Sequence, residues 1–159
     1  MPPADTGLTV RSASQADLPV LKAFEQGIIT AERPYDHTLK PDPISYYDLG
    51  ALIDSDDAEV AVVEAGGVII ASGYAHKRSA RDYLKHMHFA FLGFMYVVPE
   101  HRGQGINKRL LDHLFDWARA KGLPEIQLTV YSENTPAIRA YEKAGFASHI
   151  TEMRFNLDE

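Results

Sequence analysis

A strand-to-helix junction in the second half of the chain carries the residue types best suited to bind an anion. Residues 97–107 read Val-Val-Pro-Glu-His-Arg-Gly-Gln-Gly-Ile-Asn, so strand formers pass through Gly103 and Gly105 directly into a helical pattern. The first helical turn leaves its amide N–H groups without intrahelical partners and carries the positive end of the helix dipole. Arg102 and Lys108 add positive charge. The segment predicts a phosphate or pyrophosphate site, although a plain tight turn would also require glycine.

Two other kinds of phosphate-binding loop do not fit this junction. A P-loop needs Gly-x-x-x-x-Gly-Lys followed by Ser or Thr, and the sequence contains no such string. A Rossmann fingerprint needs a third glycine, whereas Gly103-x-Gly105 continues to Lys108. Glu125, the acidic residue about 20 positions further on, begins a predicted strand instead of ending one. Nucleoside triphosphate hydrolysis and NAD binding are therefore disfavoured.

A second pattern follows downstream, and the two together resemble one family. Residues 134–146 read Asn-Thr-Pro-Ala-Ile-Arg-Ala-Tyr-Glu-Lys-Ala-Gly-Phe. This block is similar to the Asn-x-x-Ala-x-x-x-Tyr-x-x-x-Gly-Phe block of the GNAT acyltransferases. Residues 102–107 resemble the same family's pyrophosphate loop, which reads Arg or Gln, two residues, Gly, one residue, and Gly or Ala. Asn107 departs from the small residue that usually ends the loop, so ligand approach there is altered while binding is kept.

The resemblance implies an enzyme that uses acetyl-CoA and no metal. It implies an N-acetyltransferase that transfers acetyl directly, in a ternary complex, to a primary amine of a small molecule or a protein N-terminus. Tyr141 would be the general acid that protonates the departing sulfur; by spacing alone it is a helix aromatic packed on its neighbours. The residues implied in cofactor binding are Val97, Val98, Arg102, Gly103, Gln104, Gly105, Ile106, Asn107, Lys108, Asn134 and Tyr141. A non-catalytic acyl-CoA sensor or interaction module is the alternative.

The group that deprotonates the amine stays open. Many proteins of this type use a carboxylate on the central strand, but no Asp or Glu lies between His86 and Val98. His86 and His88 alternate onto one strand face and could act as a base or as half of a metal site, and an acidic residue elsewhere or a water molecule are the other options. No third metal ligand stands at a convincing spacing.

The N-terminal half is expected to select the acceptor. Acidic side chains there would suit a cationic amine, and aromatic rings could line the pocket. For any one of these residues a solvated loop position is the simpler reading. The candidates are Glu25, Glu32, Arg33, Tyr35, Asp36, His37, Tyr46 and Tyr47.

Hydrophobic periodicity predicts the elements that must position these residues. Ser14 with Asp17 resembles a capping box, and Gly66-Gly67 suits a tight hairpin turn. The resemblance implies a mixed α/β single domain over residues 1–159, with a mostly antiparallel mixed sheet of six to seven strands flanked by about four helices. We predict strands at 8–12, 59–64, 68–76, 86–98 and 126–131, one or two closing strands within 146–157, and helices from 14, over about 43–53, and from 106 and 135.

Composition excludes several other classes of protein. The 159 residues are 45% hydrophobic and 24% charged, which is typical of one globular domain, and no cysteine is present for a disulfide or a thiolate nucleophile. A net charge of −6 disfavours nucleic acid. The opening residues lack a signal-peptide pattern, and the longest apolar run, 89–98, is too short to span a membrane. We expect a cytoplasmic protein without membrane contact, with a homodimer possible by resemblance.

Overall fold

The computed structural model describes residues 7–158, in which one compact unit ends at Thr129 and a second begins at Val130. Residues 1–6, where no leader was expected, lie outside the described residues. The first unit contains β1 Leu8–Ser12, α1 Leu18–Glu32, α2 Leu49–Asp54, β2 Ala58–Ala65, β3 Val68–Ser79, β4 His88–Val97, α3 Ile106–Ala120 and β5 Ile126–Gln127. The second unit contains α4 Thr135–Lys143.

The five strands form one sheet in the order β1-β2-β3-β4-β5. The first four are antiparallel neighbours, and β5 is parallel to β4. Gly66 and Gly67 have φ values of 57° and 81°, so the predicted glycine turn joins β2 to β3. Left-handed backbone of this kind is open to glycine at no steric cost. The mixed α/β class of the fold is confirmed.

Helices cover both faces of the sheet in the first unit. On one face Leu21 and Phe24 of α1 and Leu49 of α2 pack with Val62 of β2 and Phe94 of β4. On the other face α3 packs across β2 and β3 through its buried apolar stripe. Alternate residues of a strand point to opposite faces, so β2 and β3 are buried on both sides. The stripe of α3 consists of Ile106, Leu110, Leu111, Leu114 and Ala118.

The structure has five strands where six to seven were expected. Residues 146–157, expected to hold one or two closing strands, form no strand among the described residues, and the strand predicted over 126–131 stops at Gln127. An alternating sequence becomes a strand only where its backbone finds a neighbour to pair with. The ladder between β4 and β5 has only two pairs, Ala90 with Ile126 and Phe91 with Gln127.

The second helix is shorter than predicted. Pro43 was expected to stand in its first turn, but α2 begins at Leu49. The backbone N–H groups of Tyr46 and Tyr47 donate to the carboxylate of Glu25 on α1, at 2.9 and 2.8 Å. A side chain that binds these amides holds the segment against α1 and competes with helix formation.

Among residues 7–158, no helix combines the length and the apolar character required to cross a bilayer.

Candidate active site

A β-bulge interrupts β4 just before its C-terminal end. Tyr74 of β3 pairs with Gly93 and Ser72 pairs with Tyr96, so Phe94 and Met95 lie opposite Gly73 alone. Two residues against one define a bulge, and Phe94 takes a left-handed conformation with φ 58°. Positive φ is uncommon for a residue with a side chain and often marks a functional site. The bulge redirects the last residues of β4 toward the loop that follows.

Contacts from two sides hold Phe94 in this conformation. The hydroxyl of Ser72 donates to the carbonyl oxygen of Phe94 at 3.3 Å. The backbone N–H of Phe94 donates to the phenol oxygen of Tyr47. The rings of Tyr47 and Phe94 also meet edge to face, with centroids 5.4 Å apart. The bulge is therefore fixed before any ligand binds.

Two glycines make room for the side chains around the bulge. A Cβ on Gly93 would lie 2.6 Å from the phenol of Tyr74, and a Cβ on Gly73 would lie 2.4 Å from the sulfur of Met95. Both approaches are closer than real carbon contacts, so any side chain at these positions would displace its neighbour.

Beyond Phe91, β4 separates from β5. The described residues contain no further pair between these strands, so Leu92 to Val97 present backbone groups on the side facing away from β3. On the β3 side Val97 pairs with Ala71, and the N–H of Val98 donates to Ile70 at 2.9 Å. This open edge is where the pantetheine arm was expected to bind.

The glycine turn follows the open edge of β4. Gly103 and Gly105 have φ values of 77° and 76°, and no atom lies within 4 Å of a Cβ built on either. Gly105 is the left-handed N-cap residue of α3. The space above both glycines is therefore open, and the first-turn N–H groups of α3 have no helical carbonyl to bind. Gly103, Gln104 and Gly105 are exposed, whereas Ile106 is buried and anchors the helix.

Two cationic side chains at this turn differ in their partners. The Nε of Arg102 donates to the Val97 carbonyl at 2.9 Å, and its guanidinium lies 5.7 Å from the ring centroid of Tyr96. Arg102 thereby ties the turn to the end of β4. Lys108 is 79% exposed and pairs with Asp112 at 2.9 Å, one helical turn further on. An exposed pair of this kind contributes little to stability and leaves Lys108 free to turn toward an anion.

Asn134 and Tyr141 belong to the second unit. Asn134 is the N-cap of α4, and its side-chain oxygen accepts the Ala137 N–H at 3.4 Å. Tyr141 is half-buried, and its ring meets that of Phe146 edge to face at 5.6 Å. Seven residues separate Asn134 from Tyr141, about two helical turns, so both stand on one side of α4.

The two histidines considered as bases lie at the far end of β4. His88 begins the strand, and Phe94 at the bulge is six residues further along, which corresponds to about 20 Å. His86 lies 3.1 Å from Glu125. Both histidines line a separate cavity of about 250 Å³. Their position does not favour a role at the bulge. Within residues 7–158, no group of three or more His, Cys, Asp or Glu side chains could hold a metal ion.

The two acidic residues of α1 differ in their surroundings. Glu25 is 3% exposed and is satisfied by the N–H groups of Tyr46 and Tyr47 and by the Ser45 hydroxyl, so it anchors the segment beneath it. Glu32, the last residue of α1, is only partly buried and accepts a hydrogen bond from the Tyr46 phenol. Sequence reasoning grouped both as acceptor candidates, because burial and pairing are invisible in the local pattern.

Sequence reasoning missed the conformation of Phe94. The run from Phe89 to Val98 reads as an uninterrupted buried strand. Gly93 beside Phe94 is the one local signal, because a glycine inside a strand often marks a bulge or a close approach.

A bulged central strand that opens away from its neighbour and leads through a glycine turn into a helix defines an α/β acyltransferase. The family model described as Acetyltransferase (GNAT) family matches residues 26–146, and the chain belongs to this family.

Two curated relatives extend this assignment. The chain is 47% identical over 51 residues to a streptothricin acetyltransferase of Streptomyces lavendulae, a match that spans 32% of the chain and 27% of that relative's length. It is 28% identical over 142 residues to an L-methionine sulfoximine/L-methionine sulfone acetyltransferase of Salmonella typhimurium, over 87% of the chain and 80% of that relative.

Solved structures share the fold. The BH1408 protein of Bacillus halodurans superposes with a TM-score of 0.84 at 17% identity, covering 94% of this chain and 99% of the other. An acetyltransferase of Clostridium acetobutylicum solved with acetyl-CoA gives a TM-score of 0.70 at 20% identity, covering 94% and 96%.

Proposed function

We propose that the protein is an acetyl-CoA-dependent N-acetyltransferase that acts on a primary amine of a small molecule. The observation that carries the proposal is the continuous path from the bulge at Phe94, along the open edge of β4, to the glycine turn at Gly103 and Gly105. Family membership supports acyl transfer, and both curated relatives are named for acetylating small molecules.

The residues of this path fit an acyl-CoA. Open space above Gly103 and Gly105 admits a diphosphate to the first-turn N–H groups of α3, where the helix dipole favours negative charge. Arg102 holds the turn, and Lys108 can reach an anion. Backbone groups of Leu92 to Val97 can pair with an extended arm that carries amides, as a strand pairs with a neighbour.

Acyl transfer asks the protein to hold amine and thioester in line and to manage two protons. The neutral amine nitrogen forms a bond to the carbonyl carbon, the C–S bond breaks, and the sulfur gains a proton. Orientation alone can contribute several kcal/mol, and general acid catalysis typically contributes about 10²- to 10⁴-fold. We assign the proton donor to Tyr141, because it occupies the tyrosine position of the family's second motif.

An acceptor screen tests this function. Free thiol release from acetyl-CoA is measured with a panel of primary amines, and the chain contains no cysteine that would add to the signal. Tyr141→Phe should keep acetyl-CoA affinity and lower kcat strongly, while Tyr83→Phe, at an exposed tyrosine, should match the wild type. Unchanged turnover of Tyr141→Phe would reject the assignment of the acid. Tight acetyl-CoA binding with no transfer to any amine would favour the sensor alternative. A homodimer and a cytoplasmic location stay predictions.

A further inference from the structure

The C-terminal end of α1 presents a carboxyl group to the segment that leads into α2. The phenol of Tyr46 donates a hydrogen bond to the Glu32 side chain. Tyr46 is held in place because its own N–H donates to buried Glu25, one helix face earlier. Glu32 stands four and eight residues after Ile28 and Phe24, so it continues the face of α1 that packs against the core.

Three groups set the charge state of Glu32. Burial raises its pKa, the Tyr46 hydrogen bond lowers it, and the nearby negative charge of Asp36 raises it. The adjacent cation Arg33 points elsewhere, to Asp42 at 2.7 Å and to the Lys40 carbonyl at 2.9 Å. Glu32 is therefore a better proton acceptor than a solvated glutamate, whose pKa is about 4.3.

The same carboxyl group lies close to the bulge in electrostatic terms. Burial raises the pKa of Tyr47, and the charges of Tyr74 and Glu32 raise it further. The phenol oxygen of Tyr47 accepts the Phe94 N–H, so Tyr47 connects the bulge to the surroundings of Glu32. Tyr96, two residues beyond Phe94, packs against α1, since a Cβ on Gly27 would lie 2.9 Å from its ring.

We propose that Glu32 is the group that takes the proton from the acceptor ammonium, and that Tyr46 is the positioning residue that orients its carboxylate. The proposal rests on the function proposed above and names the residue that sequence reasoning left open. It assigns the acceptor as an alkylammonium, since an amine that is already neutral needs no such group.

The protons balance in this scheme. An alkylammonium, R-NH₃⁺, gives one proton to the Glu32 carboxylate, which becomes a carboxylic acid and later releases the proton to solvent. The free electron pair of R-NH₂ then forms the N–C bond. As the C–S bond breaks, the sulfur receives a proton from Tyr141, and the nitrogen loses its second proton, which restores Tyr141. The products are the amide, the CoA thiol and one proton in solution.

A comparison of two kinds of acceptor tests the role of Glu32. The alkylamines are butylamine, 1,4-diaminobutane and tyramine, and hydroxylamine serves as an acceptor that is already neutral at pH 7. Glu32→Gln should lower kcat/KM for the alkylamines on the order of 100-fold, as expected for loss of a general base, and should largely keep hydroxylamine transfer and acetyl-CoA affinity. Glu152→Gln, at an exposed glutamate, should match the wild type with both.

The pH profile gives a readout that a structural role would not move. Because the Tyr46 hydrogen bond lowers the pKa of Glu32, Tyr46→Phe should shift the acidic limb of the kcat/KM profile to higher pH. Tyr83→Phe should leave the limb in place. Thermal melting of each variant checks that it is folded.

Several outcomes would overturn the proposal without touching acetyl transfer itself. These are equal alkylamine rates in Glu32→Gln and wild type, equal losses with alkylamines and hydroxylamine, or an acidic limb that Tyr46→Phe does not move. A binding measurement decides the proposal independently of turnover. In protein saturated with CoA, butylamine should shift the ¹³C carboxyl resonance of Glu32 and leave that of Glu152 unchanged. Absence of the Glu32 shift overturns the proposal. Absence of acetyl transfer to every acceptor contradicts the proposed function alone.

Discussion

The phenol oxygen of Tyr47 accepts the backbone N–H of Phe94, the residue with left-handed backbone at the β4 bulge. A side chain from the segment before α2 thus satisfies a main-chain donor that the strand ladder leaves over. The acceptor half of the protein and the thioester half are joined through this one hydrogen bond.

Tyr47→Phe should destabilise the protein. The ring still fills its place between Tyr74 and Phe94, but the Phe94 N–H loses its acceptor within the core. An unsatisfied buried donor costs about 1–3 kcal/mol. Urea denaturation measures the loss, and Tyr83→Phe, 75% exposed, serves as the control. Equal stability of both variants would show that the hydrogen bond contributes nothing net.

Gly93→Ala and Gly50→Ala should have effects of opposite sign. A Cβ on Gly93 meets the buried Tyr74 phenol at 2.6 Å, and forcing that ring aside should cost about 1–3 kcal/mol. Gly50 lies within α2, and its Cβ would meet nothing closer than 3.7 Å, so alanine should stabilise the helix by about 0.5–1 kcal/mol. Thermal unfolding of both variants decides; a neutral Gly93→Ala would mean that Tyr74 moves freely.

Acid should weaken the link between β1 and the start of α1. The Arg11 guanidinium donates to Asp17 at 2.8 and 3.0 Å and holds the pKa of that buried carboxyl at about 2 instead of 3.8. Because the folded-state pKa is lowered, this contribution is complete above about pH 4 and is lost as the pH falls toward 2. Its size is about 1–2 kcal/mol.

Asp17→Asn tests this pH dependence. The variant should be less stable than wild type at pH 7 and should lose less stability between pH 4 and pH 2. Asp116→Asn, whose carboxylate is 78% exposed, should follow the wild-type curve. Parallel curves for wild type and Asp17→Asn would refute the assignment.

Glu25→Gln should loosen the segment before α2. An amide in this place offers one oxygen where the carboxylate accepts the N–H groups of Tyr46 and Tyr47 and the Ser45 hydroxyl. Hydrogen exchange at the amides of Tyr46 and Tyr47 should become faster, while exchange at Leu110 in α3 stays unchanged. Unaltered exchange at Tyr46 would indicate that another contact holds the segment.

Local sequence pattern was sufficient for elements that depend on their own residues. The hairpin at Gly66-Gly67 and the helix that follows Gly105 are specified by glycine backbone freedom and apolar spacing, and both lie where predicted. Even there, β3 continues to Ser79, three residues beyond its predicted end, because β4 extends alongside it.

Features that depend on distant partners could not be predicted. The bulge at Phe94 arises from the register between β3 and β4, and the late start of α2 follows from Glu25, about 20 residues earlier. The number of strands was wrong for the same reason, since the ladder decides where alternation becomes a strand. Glu32 was one of eight acceptor candidates, and only its contact with Tyr46 distinguishes it.

The acetyl-CoA affinity of Gly105→Val and Gly122→Val tests most directly whether the glycine turn holds the diphosphate. Both glycines adjoin α3 with φ of 76° and 71°, and both have open space above them, so valine strains the backbone equally at its two ends. Isothermal titration calorimetry should show a loss of about tenfold or more for Gly105→Val and wild-type affinity for Gly122→Val. Wild-type affinity in Gly105→Val, or an equal loss in both variants, would contradict acetyl-CoA binding at this turn.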